Sequence, residues 1–196
     1  MKSCWIVTKD HKAVLEWRDI PVPQPKDGEI VMKVRASAMN RGELVVGGAV
    51  HGGPEKLGGN EAAGEISAVG AGVTQFKIGD KVFGRVRGGF AEYATAPAHQ
   101  ILPLPTCLTF EQAASIPVSF ITAYEMIYPP YGKLKAGEWL LITAPRRARG
   151  RPASRLRRCS ALKPSVLQAR RRSSKSSKPS ALMWRSTRAS RIFRRT

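Results

Sequence analysis

Few residues in this sequence carry chemistry, and their spacing narrows what that chemistry is. The three cysteines, Cys4, Cys107 and Cys159, are odd in number and far apart. No C-x-x-C pair offers the thiolates of a structural zinc site or a redox dithiol. His11, His51 and His99 fall in segments that read as loops, without a carboxylate at useful spacing, so no Ser/His/Asp or Cys/His nucleophile constellation can be assembled. What remains is a set of isolated polar groups: Asn40 and Arg41 in "ASAMNRGEL", Asn60 and Glu61 in "GGNEAAG", and Thr122 in "SFITAYEM". None of these alone specifies a reaction.

The elements that must hold these groups are mostly short strands. "CWIVT", "VLEWRDI", "EIVMKVRASAM", "AAGEISAVG", "KVFGRV" and "AEYATAP" alternate or run apolar over strand lengths, bounded by turn residues such as Lys26-Asp27-Gly28 and Gly79-Asp80. They predict a compact, mostly antiparallel β domain. Residues 109–128, "TFEQAASIPVSFITAYEMIY", change to helical spacing, with Thr109 as N-cap, Gln112 at the capping-box position and Pro117 splitting the stretch into two helices. "KLKAGEWLLITA" then reads as a turn into a buried strand, the opening of a βαβ unit.

Charge divides the chain in two. Its 33 Lys+Arg against 14 Asp+Glu would suggest a nucleic-acid or membrane-surface partner. Yet residues 1–145 hold 15 basic and 14 acidic residues, whereas 146–196 hold 18 basic and none acidic. The excess belongs to the tail. Its aromatics are Trp184 and Phe193, too few for a base-stacking platform, and a solvated, disordered extension is the expectation for such a composition. No stretch has the apolar length of a membrane span, and the cysteine usage fits a reduced interior. A soluble, cytoplasmic protein is expected, without specific nucleic-acid or membrane partners.

The order of the pieces resembles a family. "GGNEAAGEISAVGAGVTQFKIGDKVFG" (58–84) is similar to the G-x-E-x-x-G-x-[IV] … V-G-x-x-V … F-x-x-G-D-x-V segment of medium-chain dehydrogenases/reductases. "GGFAEYATAPAHQILPLP" (88–105) resembles that family's next strand pair, and "AASIPVSFITAYEMI" (113–127) its P-x-x-x-x-T-A helix entry. The resemblance implies a mainly β chain with short helices. A GroES-like β-barrel catalytic domain (1–125) would be followed by the start of a Rossmann cofactor domain (126–144) and a basic, disordered tail (145–196). It also implies NADPH, a small-molecule carbonyl or quinone substrate, and homodimers of the kind frequent among relatives. At the positions where zinc-dependent members carry a thiolate and an imidazole stand Asn40 and Asn60, neither a normal zinc ligand. The chain therefore resembles the zinc-independent NADPH:quinone oxidoreductases and enoyl reductases.

Within that resemblance each residue has a functional and a plainer role. Asn40 would serve as the catalytic and cofactor-contacting amide near nicotinamide and substrate; otherwise it satisfies a loop backbone. Thr122 would lie near the nicotinamide carboxamide, or bond back to its own helical turn. Glu61 would stand behind the active site, or act as a buried structural partner. Arg41 would meet a phosphate or an acidic substrate, or remain solvated. A non-enzymatic basic protein that associates with nucleic acid and a stand-alone GroES-like binding module are the competing function classes.

After "LLITA" the family turns through a glycine-rich loop onto a helix N-terminus, where backbone N–H groups approach the cofactor pyrophosphate. This chain has "PRRARGRPASRLRRC" instead, and Gly150 is its only glycine from residue 138 onward. Synonymous codons for residues 172–187, reread one frame over, allow "KLEKLKALGADVAID", a Rossmann-like string without a stop. The tail is thus expected to be out-of-frame translation and the chain inactive. One consequence concerns metal. Elemental analysis of the purified protein is expected to find far less than one zinc per chain; a value of about one would contradict the reading of Asn40 and Asn60.

Overall fold

The computed structural model describes residues 1–10, 12–44, 55–135, 140–143, 166–169 and 184–185. Strand β1 (Lys2–Lys9) turns back into β2 (Lys12–Asp19), with Lys9 opposite Lys12 and Asp10 in the left-handed region at φ 48°. Two residues make this connection, the length at which positive φ matches the twist of a hairpin. The other side of β1 pairs with a three-residue strand, β4 (Glu55–Leu57), giving a sheet of order β2-β1-β4.

A larger sheet carries most of the core. Strands β3 (Glu29–Ser37), β5 (Glu61–Val69), β6 (Lys81–Arg85), β7 (Tyr93–Pro97) and β8 (Ile101–Pro103) pair antiparallel in the order β7-β3-β5-β6-β8. The register between β3 and β5 shifts twice, at Val31/Met32 and Val34/Ala36. Such irregularities add twist and bend the paired strands, so the expected barrel takes the form of a curled sheet with β7 and β8 at its edges. Its concave core holds Ile30, Met32, Ala62, Ile66, Val82, Ala94 and Ile101. Ala63, one residue along β5, faces the opposite way and joins Phe83, Ala113 and Ala114 in a second cluster. Close strand packing also explains a glycine in β5: a Cβ at Gly64 would run into the Lys33 carbonyl.

The helical stretch breaks where its sequence says it should. Helix α1 (Phe110–Ala114) has Thr109 as N-cap, with a full capping box: the Gln112 N–H donates to Thr109 Oγ1 at 3.3 Å, and the Thr109 N–H to Gln112 Oε1 at 3.0 Å. Helix α2 (Pro117–Ile127) begins on the proline, whose fixed φ suits a first helical position. The six strands expected from alternation are all present, and β8 is the second member of the strand pair that residues 88–105 resemble; β4, three residues long, was not expected. Contacts divide the chain at Val118/Ser119, into Met1–Val118 and Ser119–Thr196.

In the second unit β9 (Leu140–Thr143) is the strand expected from "LLITA". It runs parallel to β10 (Val166–Ala169), which pairs antiparallel with β11 (Trp184–Arg185). These two short strands are described within 145–196, the segment expected to be disordered and out of frame; the rest of it, with Cys159, lies outside the described residues. Among the described residues no helix is long and apolar enough to cross a membrane. The capping box yields a direct test. Thr109→Ala should lower the unfolding free energy by about 1 kcal/mol, read from the denaturant midpoint, because the Gln112 N–H loses its partner.

Candidate active site

Asn40 lies just beyond β3, and the 3-10 turn Arg41–Leu44 follows it at once. The turn is closed reciprocally. The Asn40 N–H donates to Glu43 Oε2 at 2.6 Å, and the Glu43 N–H donates to the Asn40 carbonyl at 3.0 Å. This is capping-box logic, with an acid three residues after an Asn. Glu43 is buried, 1% exposed, and among the described residues its Oε1 and the buried Nζ of Lys56 on β4 take no hydrogen bond. Each unmet buried polar atom costs about 1–3 kcal/mol. Burial pulls the Lys56 ammonium below its ordinary pKa, and the charge of Glu43 opposes that pull.

Glu61 opens β5 on a backbone set by two glycines. The Gly58 N–H donates to the Cys4 carbonyl at 2.9 Å and the Phe90 N–H to the Gly58 carbonyl at 3.0 Å, while Gly59 sits at φ 91° against Phe90 and Gly89, where a Cβ has no room. The Ser37 hydroxyl, at the end of β3, donates to the Glu61 carbonyl at 2.7 Å. The side chain is 1% exposed and fully engaged: Oε1 accepts from Asn40 Nδ2 at 2.7 Å, and Oε2 accepts from the Val118 N–H at 2.7 Å. Pro117 has no N–H, so Val118 carries the first orphan donor of α2, and a carboxylate there is favoured by the helix dipole as well.

Burial raises the Glu61 pKa above the ordinary glutamate value. The hydrogen bonds from Val118 and Asn40 work against that rise; Glu43 adds to it and Arg85 subtracts. The sign for stability follows. The folded state holds this proton to higher pH than the unfolded chain does, so Glu61's contribution is largest in acid. It declines as pH climbs from the ordinary glutamate range through the folded value.

The residues singled out in the sequence fall into three groups. Asn40 and Glu61, twenty-one positions apart, come together through a direct hydrogen bond. Asn60 is half-buried beside them in the chain, its carbonyl accepting from the Val86 N–H at 3.1 Å. Arg41 belongs to the 3-10 turn, Thr122 is half-buried on α2 one turn after Val118, and His99 is exposed; His11 and His51 lie outside the described residues. Among the described residues no cluster of three or more His, Cys, Asp or Glu side chains forms. Sequence reasoning passed over Glu43, Lys56 and the Val118 N–H. Only Glu43 left a signal, the N-x-x-E spacing of a reciprocal cap.

The domain that carries this cluster has many relatives. Residues 26–106 match the alcohol dehydrogenase GroES-like domain. The human quinone oxidoreductase is 38% identical over 129 residues, which are 63% of this chain and 39% of that protein. The structure of mycobacterial Rv1454c, complexed with NADPH, superposes with a TM-score of 0.74 at 28% identity, over 86% of this chain and 52% of that one. The quinone oxidoreductase of Pseudomonas syringae pv. Tomato DC3000 gives a TM-score of 0.72 at 26% identity, over 85% of this chain and 52% of that one. The chain thus spans between about two fifths and half of the length of the relatives it matches. The curled sheet, the G-x-E strand and the P-x-x-x-x-T-A helix are those of a GroES-like domain of the kind found in quinone oxidoreductase-like medium-chain dehydrogenases/reductases.

Proposed function

We propose that residues 1–125 are the catalytic domain of a zinc-independent, NADPH-dependent reductase that acts in the cytoplasm on a quinone, enone or similar small carbonyl acceptor. The observation that carries this reading is Asn40. Its side chain follows β3 directly, is only partly buried, and is held by a buried carboxylate on one side, with Oδ1 free of any hydrogen bond from the described residues. An amide fixed in this way can orient a ligand without attacking it. NADPH is bound in the relative from mycobacteria, and a nicotinamide, when present, supplies a hydride. Asn40 and Thr122 are the residues of this chain that would contact it, and the amides at positions 40 and 60 suit chemistry without a metal Lewis acid.

The same reading assigns 126–144 to the start of the cofactor domain and 145–196 to out-of-frame sequence. A pyrophosphate needs closely approaching backbone N–H groups on a glycine-rich helix N-terminus, and "PRRARGRPASRLRRC" offers one glycine. Contacts at the nicotinamide end cannot replace that anchor. The chain as it stands is therefore inactive, and the family's homodimer would belong to the complete enzyme.

Cofactor fluorescence tests both parts. The present chain should show no saturable NADPH binding at micromolar concentration, whereas a chain continued in the other frame after Ala144 should bind NADPH and reduce a test quinone. Tight binding by the present chain would remove the reading of the tail. A repaired chain that folds yet ignores both nicotinamide cofactors would remove the enzyme.

A further inference from the structure

The Asn40 amide is not free to choose which of its ends meets a ligand. Glu61 Oε2 is committed to the Val118 N–H at 2.7 Å, and Oε1 takes one hydrogen of Asn40 Nδ2 at 2.7 Å. As a carboxylate, Glu61 has only acceptors, so the nitrogen end of Asn40 must face it. The Asn40 backbone N–H is tied to Glu43 Oε2 at 2.6 Å, so the residue cannot swing away from its partner without breaking the 3-10 turn. An anionic acceptor pulling on one N–H of an amide shifts electron density toward the carbonyl oxygen and makes it a better acceptor. Oδ1 takes no hydrogen bond from the described residues.

We propose that Glu61 is a specificity-determining positioning residue: it fixes Asn40 with Oδ1 outward, so the ligand group that meets Oδ1 is a donor, a primary carboxamide or a hydroxyl, which a bare carbonyl cannot supply. The proposal rests on Asn40 being a ligand contact and adds the polarity of that contact. It also assigns Glu61 a consequence that a merely structural carboxylate lacks. In Glu61→Gln the side chain keeps its shape, but the Val118 N–H still requires an oxygen. The glutamine must then place Oε1 on Val118 and its NH2 against Asn40. Asn40 has to answer with Oδ1 inward and present its own NH2 outward. The variant no longer rewards a donor over a bare carbonyl.

Two probes that differ in this one property are nicotinamide, whose carboxamide donates, and methyl nicotinate, whose ester only accepts. The full chain is titrated with each, following the Asn40 side-chain amide resonances by NMR at pH 8, on the alkaline side of the ordinary glutamate range, with Glu43 and Arg85 as the charges bearing on Glu61. Nicotinamide should bind about fivefold more tightly than the ester, the scale of one net hydrogen bond, and Glu61→Gln should abolish that preference, because the carboxamide carbonyl and the ester carbonyl can both accept from an outward NH2. An ester that binds the unmodified chain equally well or better overturns the polarity while leaving Asn40 as a contact. A folded Glu61→Gln protein that keeps the amide preference overturns the role of Glu61, and if that variant does not fold the ranking on the unmodified chain decides. If neither probe moves the Asn40 resonances, the contact itself is removed and the proposal with it.

Discussion

A carboxylate taken out of water must have its lone pairs met, or it will not stay charged. Glu61 meets this demand with two short hydrogen bonds from unrelated parts of the chain, the side chain of Asn40 and the first available N–H of α2. Everything near the site bends to that requirement. The strand that carries Glu61 must start at a fixed point, which the paired glycines and the Ser37 hydroxyl define. The helix must begin on a proline, so that the next N–H points out unpaired. The loop after β3 must return Asn40 to the same place, which the Glu43 cap achieves.

This arrangement reconciles two roles that looked exclusive when only the sequence was considered. Glu61 is a structural partner, because it satisfies an orphan helix donor, and through the same carboxylate it decides how Asn40 is presented. A hydrogen-bonded chain of this kind has few alternative states, since reversing any one member leaves another donor facing a donor. The small residues of β5 belong to the same economy of space. Ala62 and Ala63 lie on opposite faces of one strand, each against its own apolar cluster, and Gly64 lets the Lys33 backbone approach.

How much of this could be seen beforehand depends on the range of the interaction. The six longer strands were legible because alternation is local, and the Thr109–Gln112 box because its partners are three residues apart. Strand β4 was not, since three residues cannot display a period, and β8, equally short, was indicated only by the resemblance of residues 88–105 to a strand pair. Asn40 and Glu61 could be named from their resemblance to a family, but not joined: a contact across twenty-one positions depends on the register of β3 against β5, and that register slips twice. The Val118 N–H was invisible for another reason. A backbone donor leaves no mark in the residue it belongs to; the mark was Pro117 before it.

The buried side chains of Glu43 and Lys56 bear on how this domain would respond to engineering. Buried ionic groups are often replaced by apolar side chains of similar volume with a gain in stability, and here neither Glu43 Oε1 nor Lys56 Nζ has a hydrogen-bond partner among the described residues. A search for heat-resistant variants would therefore be drawn to these two positions. Removing Glu43 also frees the Asn40 backbone, whose N–H it holds. Selection for thermostability and selection for ligand discrimination would thus pull the same glutamate in opposite directions, and a library screened for the first alone would tend to lose the second.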